Sequence, residues 1–306
     1  MRISTVTMYE QSVNSMNRQQ GEFMKVGQQI ATGRRVVNPS DDPQAASRAV
    51  GVSQAKAVTQ QFADARVSAR NSLSQSESVL NSVSDAITSA KTLMVQAASD
   101  TLSDVDRQSV ASELRGIYET LIGQANATDG NGRYLFGGFN DDAPPFQKNE
   151  TTGAIEYQGD LNVREQRIDA SRLLPVVDHG QTIFRHGPGG DATDLFQTME
   201  TALEALENPR GPDFRDDINS VMRELDNSLD NVLTVRASVG ARLNELDVVD
   251  AVGGNRMLNY EQTLSDLVDL DYAEAISEYS LRQVGLQAAQ KAFVDIKGLS
   301  LFDYLR

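Results

Sequence analysis

The segment that decides the fold is INSVMRELDNSLDNVLTVRASVGARLNELDVV, residues 218–249. Ser228 and Arg242 are the two polar exceptions in a series of apolar residues spaced alternately three and four apart. The apolar members are Ile218, Val221, Leu225, Val232, Val235, Val239, Leu246 and Val249. Such spacing places a narrow apolar seam on one side of a helix, as in helices packed lengthwise on other long helices. We therefore predict a long helix whose seam is mostly covered within the chain, and we expect Gly253-Gly254 to loosen or end it.

Three other segments have helical spacing. The longest is predicted from Pro43 to about Ala98, because it contains a single glycine and no internal proline. Shorter helices are predicted at Val105 to Ala127, with Ser103-Asp104 as the cap, and at Asp191 to Glu207. Apolar residues in the longest segment keep the three-four spacing: Leu73, Leu80, Val83, Ile87, Ala90 and Met94.

The two ends of the chain carry narrow apolar stripes of their own. The first helix is predicted to end at Thr32-Gly33, and the last to run from Tyr272 to Lys297. We expect neighbouring copies to cover these stripes, because short isolated helices are marginal in water. The alternative is an ordinary intramolecular bundle that includes both ends. The predicted assembly residues are Val6, Tyr9, Val13, Met16, Phe23 and Ile30 in the first helix, and Ile276, Tyr279, Leu286 and Phe293 in the last.

Helix start signals separate these terminal stripes from the rest. Asn38-Pro39 indicates a break, because proline disfavours a helical conformation in the residue before it. Asp42 followed by Pro43 is typical of an N-cap and first helical position. Asp271 with Glu274 three residues later resembles a capping box.

The middle of the chain has a different character. From Asp129 to about Pro188, turn residues cluster, and apolar residues nearly alternate at 154–157 and 182–184, which favours short strands. We therefore predict a mainly α protein: an elongated antiparallel helical bundle, or coiled coil, of the N- and C-terminal halves with a small β-rich inserted domain. The predicted divisions are 1–38 with 266–306 as a terminal coiled-coil region, 39–133 with 208–265 as a helical rod, and 134–207 as the insert.

Composition argues against several functions. With 28 Lys and Arg against 43 Asp and Glu, the net charge of −15 repels nucleic acids and anionic membrane surfaces. The absence of cysteine excludes thiolate chemistry and disulfides. We see neither the apolar segment of a cleaved signal peptide nor a run long enough to span a membrane.

We also find no pattern typical of an enzyme or a cofactor site. His179 and His186 are seven residues apart without an obvious third ligand, so we interpret them as loop residues. Asp129-Gly130-Asn131-Gly132 lacks the later ligands of a calcium loop and favours a turn. Because nucleotide-binding and hydrolase motifs are missing too, we predict no catalytic residue, metal or cofactor.

Several spaced segments show a resemblance to a known family. They are RISTVTMY (2–9), ATGRRVVNPSDDPQAA (31–46), LMVQAASDT (93–101), ANATDGNGRYLFGG (125–138), RASVGARLNEL (236–246) and DLVDLDYAEAISEYSLRQVGLQAAQKAF (266–293). Together they cover both ends and the centre in order. The chain resembles the flagellin superfamily and, within it, the family of the hook–filament junction.

This resemblance implies a structural subunit of the bacterial flagellum that forms a layer between the hook and the filament. It implies type III export without a cleaved signal peptide, an extracellular location, and terminal helices that become ordered on assembly. The implied partners are other copies in a ring, the first hook-associated protein, flagellin and an export chaperone at the C-terminal region. A flagellin filament subunit is the alternative, although the small insert and the RISTVTMY start argue against it. A long scaffold or chemoreceptor-like coil would have longer unbroken heptads or a membrane span.

Overall fold

The computed structural model describes residues 5–99, 102–186 and 193–302. In these ranges the helices are α1 (Thr5–Thr32), α2 (Pro43–Ala97), α3 (Asp104–Ala125), α4 (Gly180–Phe184), α5 (Leu195–Glu207), α6 (Phe214–Val268) and α7 (Tyr272–Phe302). The strands are β1 (Phe146–Lys148), β2 (Ile155–Tyr157), β3 (Glu165–Asp169), β4 (Arg172–Pro175), β5 (Arg185–His186) and β6 (Thr193–Asp194). The predicted mainly α class with a small β-rich insertion is confirmed.

The chain forms two compact units. Residues 1–59 and 255–306 form one, which we call the terminal unit, and residues 60–254 form the other, the central unit. Helices α2 and α6 contribute residues to both. The division into three regions inferred from the sequence stays a prediction.

Helices α2 and α6 contribute buried residues to the core of the central unit, together with α3, α5 and the insert. The predicted seam of α6 is buried from Ile218 to Leu246, and Val249 is half-buried. Buried residues of α2 recur at seven-residue intervals in two series, Leu73, Leu80, Ile87 and Met94, and Ala69, Ser76, Val83, Ala90 and Ala97, of which Ser76 is the polar member. Ser228 is buried in this seam, and its hydroxyl has no hydrogen-bond partner among the described residues. The repeat of seven on both helices is typical of coiled-coil packing.

Ion pairs set the antiparallel register of α2 and α6 in the central unit. Arg66 pairs with Asp250, and Arg70 donates to Asp247 at 2.6 Å and to Asp250 at 2.8 Å. Farther along α2, Lys91 pairs with Asp226. In each pair the base lies on α2 and the acid on α6, so a shift of one helix along the other would break all of them.

Arg66 is the one cation of this set that is almost fully buried, with 3% of its surface exposed. Its Nη1 donates to the carbonyl oxygen of Ile168 in β3 at 3.0 Å, so it joins the inserted strands to the helices. The expectation that Gly253-Gly254 ends the helix is wrong, since α6 continues to Val268. A Cβ at Gly253 would lie 2.6 Å from Nη2 of Arg66, whereas one at Gly254 would meet nothing within 4 Å. Glycine at position 253 therefore makes room for the buried guanidinium.

In the described part of the insert, the strands form three antiparallel pairs: β1 with β2, β3 with β4, and β5 with β6. Phe146 of β1 lies at the centre of an aromatic cluster, with ring centroids 5.2 Å from Tyr157, 5.1 Å from Phe184 and 5.1 Å from Phe196. The cluster fixes α4 and α5 against the first strand pair. Buried aromatic pairs of this kind contribute about 0.5–1.5 kcal/mol each beyond their buried area.

The structure contradicts some of the local predictions in the insert and confirms another. The strand predicted at 182–184 is wrong, because Gly180–Phe184 is the short helix α4. His179, predicted to lie in a loop, is its N-cap, and its Nδ1 accepts from the Thr182 amide at 3.3 Å. The strand predicted at 154–157 is present as β2.

The predicted helices are present with small changes in their ends. α3 begins one residue before the predicted start and ends two before the predicted end, and Ser103 forms a capping box with Asp106. α5 begins at Leu195 with Asp194 as its N-cap, while the predicted start at Asp191 lies outside the described residues. α2 ends one residue short of the predicted end, and α7 extends beyond Lys297 to Phe302.

The two glycines of α6 give a matched test. Both substitutions to alanine improve helix propensity by about 0.5–1 kcal/mol. We expect this gain for Gly254→Ala, but we expect Gly253→Ala to be at least about 1 kcal/mol less stable than Gly254→Ala, because Arg66 must move from its hydrogen bonds. Urea unfolding followed by circular dichroism measures both free energies. Equal stabilisation by both variants would contradict the role assigned to Gly253.

Asp250 should contribute to stability in a pH-dependent way. Partial burial alone raises its pKa, but hydrogen bonds from Arg66 and Arg70 dominate and hold the pKa of Asp250 below its ordinary value. Its contribution is therefore present above the ordinary aspartate pKa of about 3.9 and is lost as the pH falls through the lower folded-state pKa. Asp250→Asn should lower the free energy of unfolding at pH 7 by about 2 kcal/mol. This expected loss of stability is smaller than the loss usual for breaking a fully buried ion pair, because 37% of the Asp250 side chain is exposed.

Asp226→Asn is the control for this measurement, since Asp226 also pairs with a base of α2 but is more exposed. At pH 7, Asp226→Asn should lower the free energy of unfolding by no more than about 1 kcal/mol. Urea unfolding at pH 7 and pH 3 should show the Asp250→Asn deficit shrinking in acid. Equal losses for the two variants, or a deficit independent of pH, would show that Arg66 does not depend on Asp250.

Candidate assembly interface

The two segments that link the helices of the terminal unit pair with each other. The chain leaves α1 through Gly33, whose φ of +69° lies in the left-handed region that favours glycine. The Arg35 amide donates to the Val268 carbonyl oxygen at 2.8 Å, and the Leu270 amide donates to the Gly33 carbonyl oxygen at 3.1 Å. The Arg35 guanidinium also donates to the Leu267 carbonyl oxygen at 2.7 Å. The α1–α2 link is thereby tied to the junction between α6 and α7.

The predicted cap residues stand at the starts of α2 and α7. Asp42 precedes Pro43, the first residue of α2, and its Oδ1 accepts from the Ala45 amide at 3.0 Å. Asp271 precedes α7, and its Oδ1 accepts from the amides of Ala273 at 2.8 Å and Glu274 at 3.3 Å. The Ala45 amide, followed by the Arg35 guanidinium, lowers the pKa of Asp42 despite the opposing effect of desolvation. Ionised carboxylates at these positions also interact favourably with the helix dipole.

Asn38 and Pro39 lie in the turn before α2, and both are exposed. The turn is closed by Asp41, whose Oδ2 accepts from the Asn38 amide at 2.8 Å and whose Oδ1 pairs with Lys25 at 3.2 Å. Lys25 belongs to α1, so this contact connects the turn to the first helix. The link is therefore held by several hydrogen bonds, and Val36 within it is buried.

Helices α1 and α7 pack antiparallel on each other in the terminal unit. The rings of Phe23 and Tyr279 have centroids 4.6 Å apart, and those of Tyr9 and Phe293 have centroids 5.2 Å apart. Arg282 of α7 also pairs with Glu22 of α1 at 3.7 Å. The two stripes predicted from the ends of the sequence therefore face each other in part.

This contact leaves much of both helices uncovered. Val26 and Ala275 are the buried apolar residues of α1 and α7 among the described side chains, both with 4% exposure. Most of the predicted assembly residues remain half-buried: Val13, Met16, Phe23, Ile30, Tyr279, Leu286 and Phe293. Tyr9 and Ile276 are exposed. The side chain of Val6 lies outside the described residues.

The structure adds apolar residues that the stripe analysis missed. Large exposed side chains on α7 include Leu281 at 70% and Val284 at 63%, with Tyr272 and Val294 also exposed, and Met24 is exposed on α1. Apolar residues thus lie all around α7, the pattern of a helix buried on every side. A search for a single stripe at one spacing cannot find them, but the apolar content of α7 around its whole circumference is a signal that could have been used.

The described part of the chain offers little for metal chemistry or membrane insertion. It contains no group of three or more His, Asp or Glu side chains that could hold a metal ion. None of its helices combines the length and apolar character needed to cross a membrane. What the terminal unit presents is an apolar surface next to a hydrogen-bonded link, which suits association with other helices.

Comparison with known proteins agrees with the motifs. Residues 3–141 match the bacterial flagellin N-terminal helical region. The chain is 43% identical to flagellar hook-associated protein 3 of Escherichia coli (strain K12) over 317 residues, covering 99% of each chain. It is also 43% identical to flagellar hook-associated protein 3 of Salmonella typhimurium over 321 residues, covering all of both chains.

Solved structures show the same fold. The crystal structure of the flagellar junction protein from Legionella pneumophila superposes with a TM-score of 0.62, covering 72% of this chain and 100% of that one at 17% identity. Similarity at this identity establishes a shared fold. The full-length identity to the two curated relatives establishes more: the chain belongs to the flagellar hook-associated protein 3 family.

Proposed function

We propose that this chain is a structural subunit of the bacterial flagellum that forms the junction layer between hook and filament. It acts by association and not by catalysis. The observation that carries this proposal is the exposed apolar surface of α1 and α7, in a chain whose relatives are named flagellar hook-associated protein 3. Apolar residues on all sides of a terminal helix are expected when neighbouring helices surround it in an assembly.

The energetics favour assembly over a free terminal unit. Ordering a residue costs about 1–2 kcal/mol of backbone entropy, while full burial of a large apolar side chain contributes about 1.5–3 kcal/mol. In the isolated chain, α1 and α7 cover only one side of each other, and side chains such as Leu281 and Val284 remain in water. Neighbouring copies would bury these outer sides as well. We therefore propose that the terminal helices are fully stabilised only in the assembly.

The assembly we propose is a ring. Head-to-tail contacts around an axis close into a ring when the rotation permits, and such a ring presents different faces above and below. The first hook-associated protein would occupy one face and flagellin the other. Residues 1–38 and 266–306 would form the assembly region, 39–133 and 208–265 a helical rod, and 134–207 an outward-facing domain.

Export is the second part of the proposal. Helices that become stable only on association allow the chain to travel unfolded through a narrow channel and to become ordered at its destination. We propose type III export without a cleaved signal peptide, an extracellular location at the hook–filament junction, and an export chaperone that holds the C-terminal region beforehand. Before assembly, such a chaperone would cover the apolar surface of α7.

A flagellin filament subunit is the second candidate, because flagellins share terminal sequence signatures of this kind. The full-length identity to flagellar hook-associated protein 3 favours the junction subunit. The decisive experiment is a strain lacking this gene. We expect it to build complete hooks and to release unpolymerised flagellin into the medium, whereas loss of a filament subunit would leave no flagellin to release. Purified protein that grows long filaments alone would overturn the junction proposal.

Substitutions at exposed valines test the assembly surface. Val284→Asp on α7 should leave the isolated protein as stable as the wild type to within about 0.5 kcal/mol, because the side chain is exposed. It should nevertheless reduce incorporation into flagella at least about tenfold, since burying an unpaired carboxylate in the assembly costs several kcal/mol. Incorporation is measured by immunoblotting sheared flagella, and swimming in soft agar reports function.

Val105→Asp is the matched control. Val105 is similarly exposed at 71%, but it lies on α3 in the central unit. The same substitution there should leave incorporation unchanged. Normal incorporation of Val284→Asp, or an equal defect in both variants, would remove the outer face of α7 from the assembly surface.

Amide hydrogen exchange on the isolated chain tests the proposed difference in stability. Amides of α6 between Ile218 and Leu246 lie in the buried core and should exchange at least about a hundredfold more slowly than those of α1 and α7, because local opening is easiest where few apolar contacts hold a helix. Mass spectrometry of peptic peptides resolves these segments. Equal protection of terminal helices and core would show that α1 and α7 need no neighbours.

A further inference from the structure

The surface turn at residues 129–132 has no part in the proposed assembly. The Gly132 amide donates to the Asp129 carbonyl oxygen at 3.0 Å, and the Asp129 amide donates to the Arg133 carbonyl oxygen at 2.8 Å. The turn expected from the sequence Asp-Gly-Asn-Gly is therefore present. Within it, the Asp-Gly pair and the Asn-Gly pair each place a side-chain carbonyl group next to a glycine amide.

Asn131 is the only asparagine of the chain that is followed by glycine. Both residues are exposed, and a Cβ at Gly132 would meet nothing within 4 Å beyond its neighbours in the chain. The φ of Gly132 is +82°, in the left-handed region that glycine adopts readily. Neither a side chain at position 132 nor packing from elsewhere therefore keeps the Gly132 nitrogen away from the Asn131 side chain.

An asparagine side chain next to an unhindered amide can react without an enzyme. The Gly132 nitrogen loses its proton and bonds to Cγ of Asn131, and the Cγ–Nδ2 bond breaks. Nδ2 takes up one proton and leaves as ammonia, so a five-membered succinimide ring remains. Water then opens the ring at either of its carbonyl groups, which gives aspartate or a β-linked isoaspartate. Water is the only co-reactant, so this conversion does not depend on the assembly role.

Other asparagines are placed less favourably for this reaction. Asn149 also lies in a turn, where its Oδ1 accepts from the Thr151 amide at 2.8 Å, but it is followed by Glu150, whose side chain hinders the attacking nitrogen. In a helix the amide of the following residue is held in the main-chain hydrogen bonds, whereas a surface turn opens at a low cost in free energy. The asparagines followed by serine all lie in helices: Asn14, Asn71, Asn81, Asn219 and Asn227.

Asp129 holds the turn closed. Its Oδ1 accepts from the Asn131 amide at 2.8 Å and from the Arg133 amide at 3.0 Å. The Arg133 amide, followed by the Asn131 amide, keeps the pKa of Asp129 below its ordinary value, although desolvation opposes them. An ionised carboxylate resists attack by an amide nitrogen, so Asp129 does not form a ring with Gly130 near neutral pH. Its charge also disfavours loss of the proton from the nearby Gly132 amide, because that loss creates a second negative charge.

We propose that Asn131 is a site of spontaneous deamidation and that Asp129 limits its rate by holding the turn closed. Both products add a negative charge to the turn. The isoaspartate also lengthens the backbone by one carbon, just before the buried residues Leu135 and Phe136. The turn is thus a slow modification site of the central unit.

Peptide mass spectrometry of the purified full-length chain, incubated at pH 7 and pH 9, tests the site. We expect Asn131 to show the change in mass from an amide to an acid before Asn149 does, and its rate to rise with the hydroxide concentration. The chain unfolded in urea gives the reference rate. An Asn131 that stays intact in the folded protein after the unfolded chain has converted, or that converts no faster than Asn149, would overturn the proposal.

Asp129→Ala tests the control of the rate. Loss of the hydrogen bonds that close the turn should accelerate deamidation of Asn131 by roughly fivefold, the factor that corresponds to about one hydrogen bond. Asp129→Ser, whose hydroxyl can accept from one of the same amides, should accelerate it less.

Asp142→Ala is the matched control, since it removes an exposed carboxylate of the same unit that makes neither a hydrogen bond nor an ion pair within the described residues. It should leave the rate unchanged, and thermal unfolding checks that all three variants are folded. Equal rates in Asp129→Ala and Asp142→Ala would show that Asp129 does not limit the reaction.

Discussion

The antiparallel pairing of α2 with α6 is the interaction on which the central unit depends. Both helices carry buried residues at seven-residue intervals that belong to one shared core, and the cations of α2 pair with the carboxylates of α6 in one register. Arg66 extends the same pairing to the insert through the carbonyl oxygen of Ile168. Because a buried cation needs both its carboxylate and its remaining hydrogen-bond acceptors, the positions of β3, α2 and α6 are mutually determined there.

The two units differ in how their apolar surface is used. In the central unit the seam of α6 is closed by its own chain, which is sufficient for a stable core. In the terminal unit α1 and α7 share aromatic contacts at Phe23–Tyr279 and Tyr9–Phe293, yet Leu281 and Val284 face solvent. An apolar surface that remains after folding is a common feature of assembly sites. Because the chain belongs to a flagellar family, we expect this surface to be buried in the assembled flagellum.

The sequence predicted the helices well because their spacing is regular. The seam at 218–249, the start at Asp42-Pro43 and the start at Asp271 all depend on local signals, namely periodicity and capping. The helix α4 and the continuity of α6 through Gly253-Gly254 were mispredicted for a common reason. In α4 His179 caps a turn that packs on Phe146, and at Gly253 the absence of a side chain accommodates Arg66, a residue 187 positions earlier in the chain. Local propensity was overridden by a distant contact in both places.

Some features of the candidate assembly surface likewise follow from local sequence, and others follow from contacts between distant residues. The stripes containing Val13 and Leu286 follow from spacing within each helix, and the family follows from short segments in order along the chain. By contrast, the pairing of Phe23 with Tyr279 and the exposure of Val284 depend on which helices meet and at what register.

By itself, then, the sequence determined the class of fold, the positions of the long helices and the family, because periodicity, caps and motifs are properties of neighbouring residues. Only the tertiary structure decided which apolar residues remain exposed and why position 253 requires a glycine. Those features arise from contacts between residues far apart in the chain, and a linear pattern does not specify the geometry of such contacts.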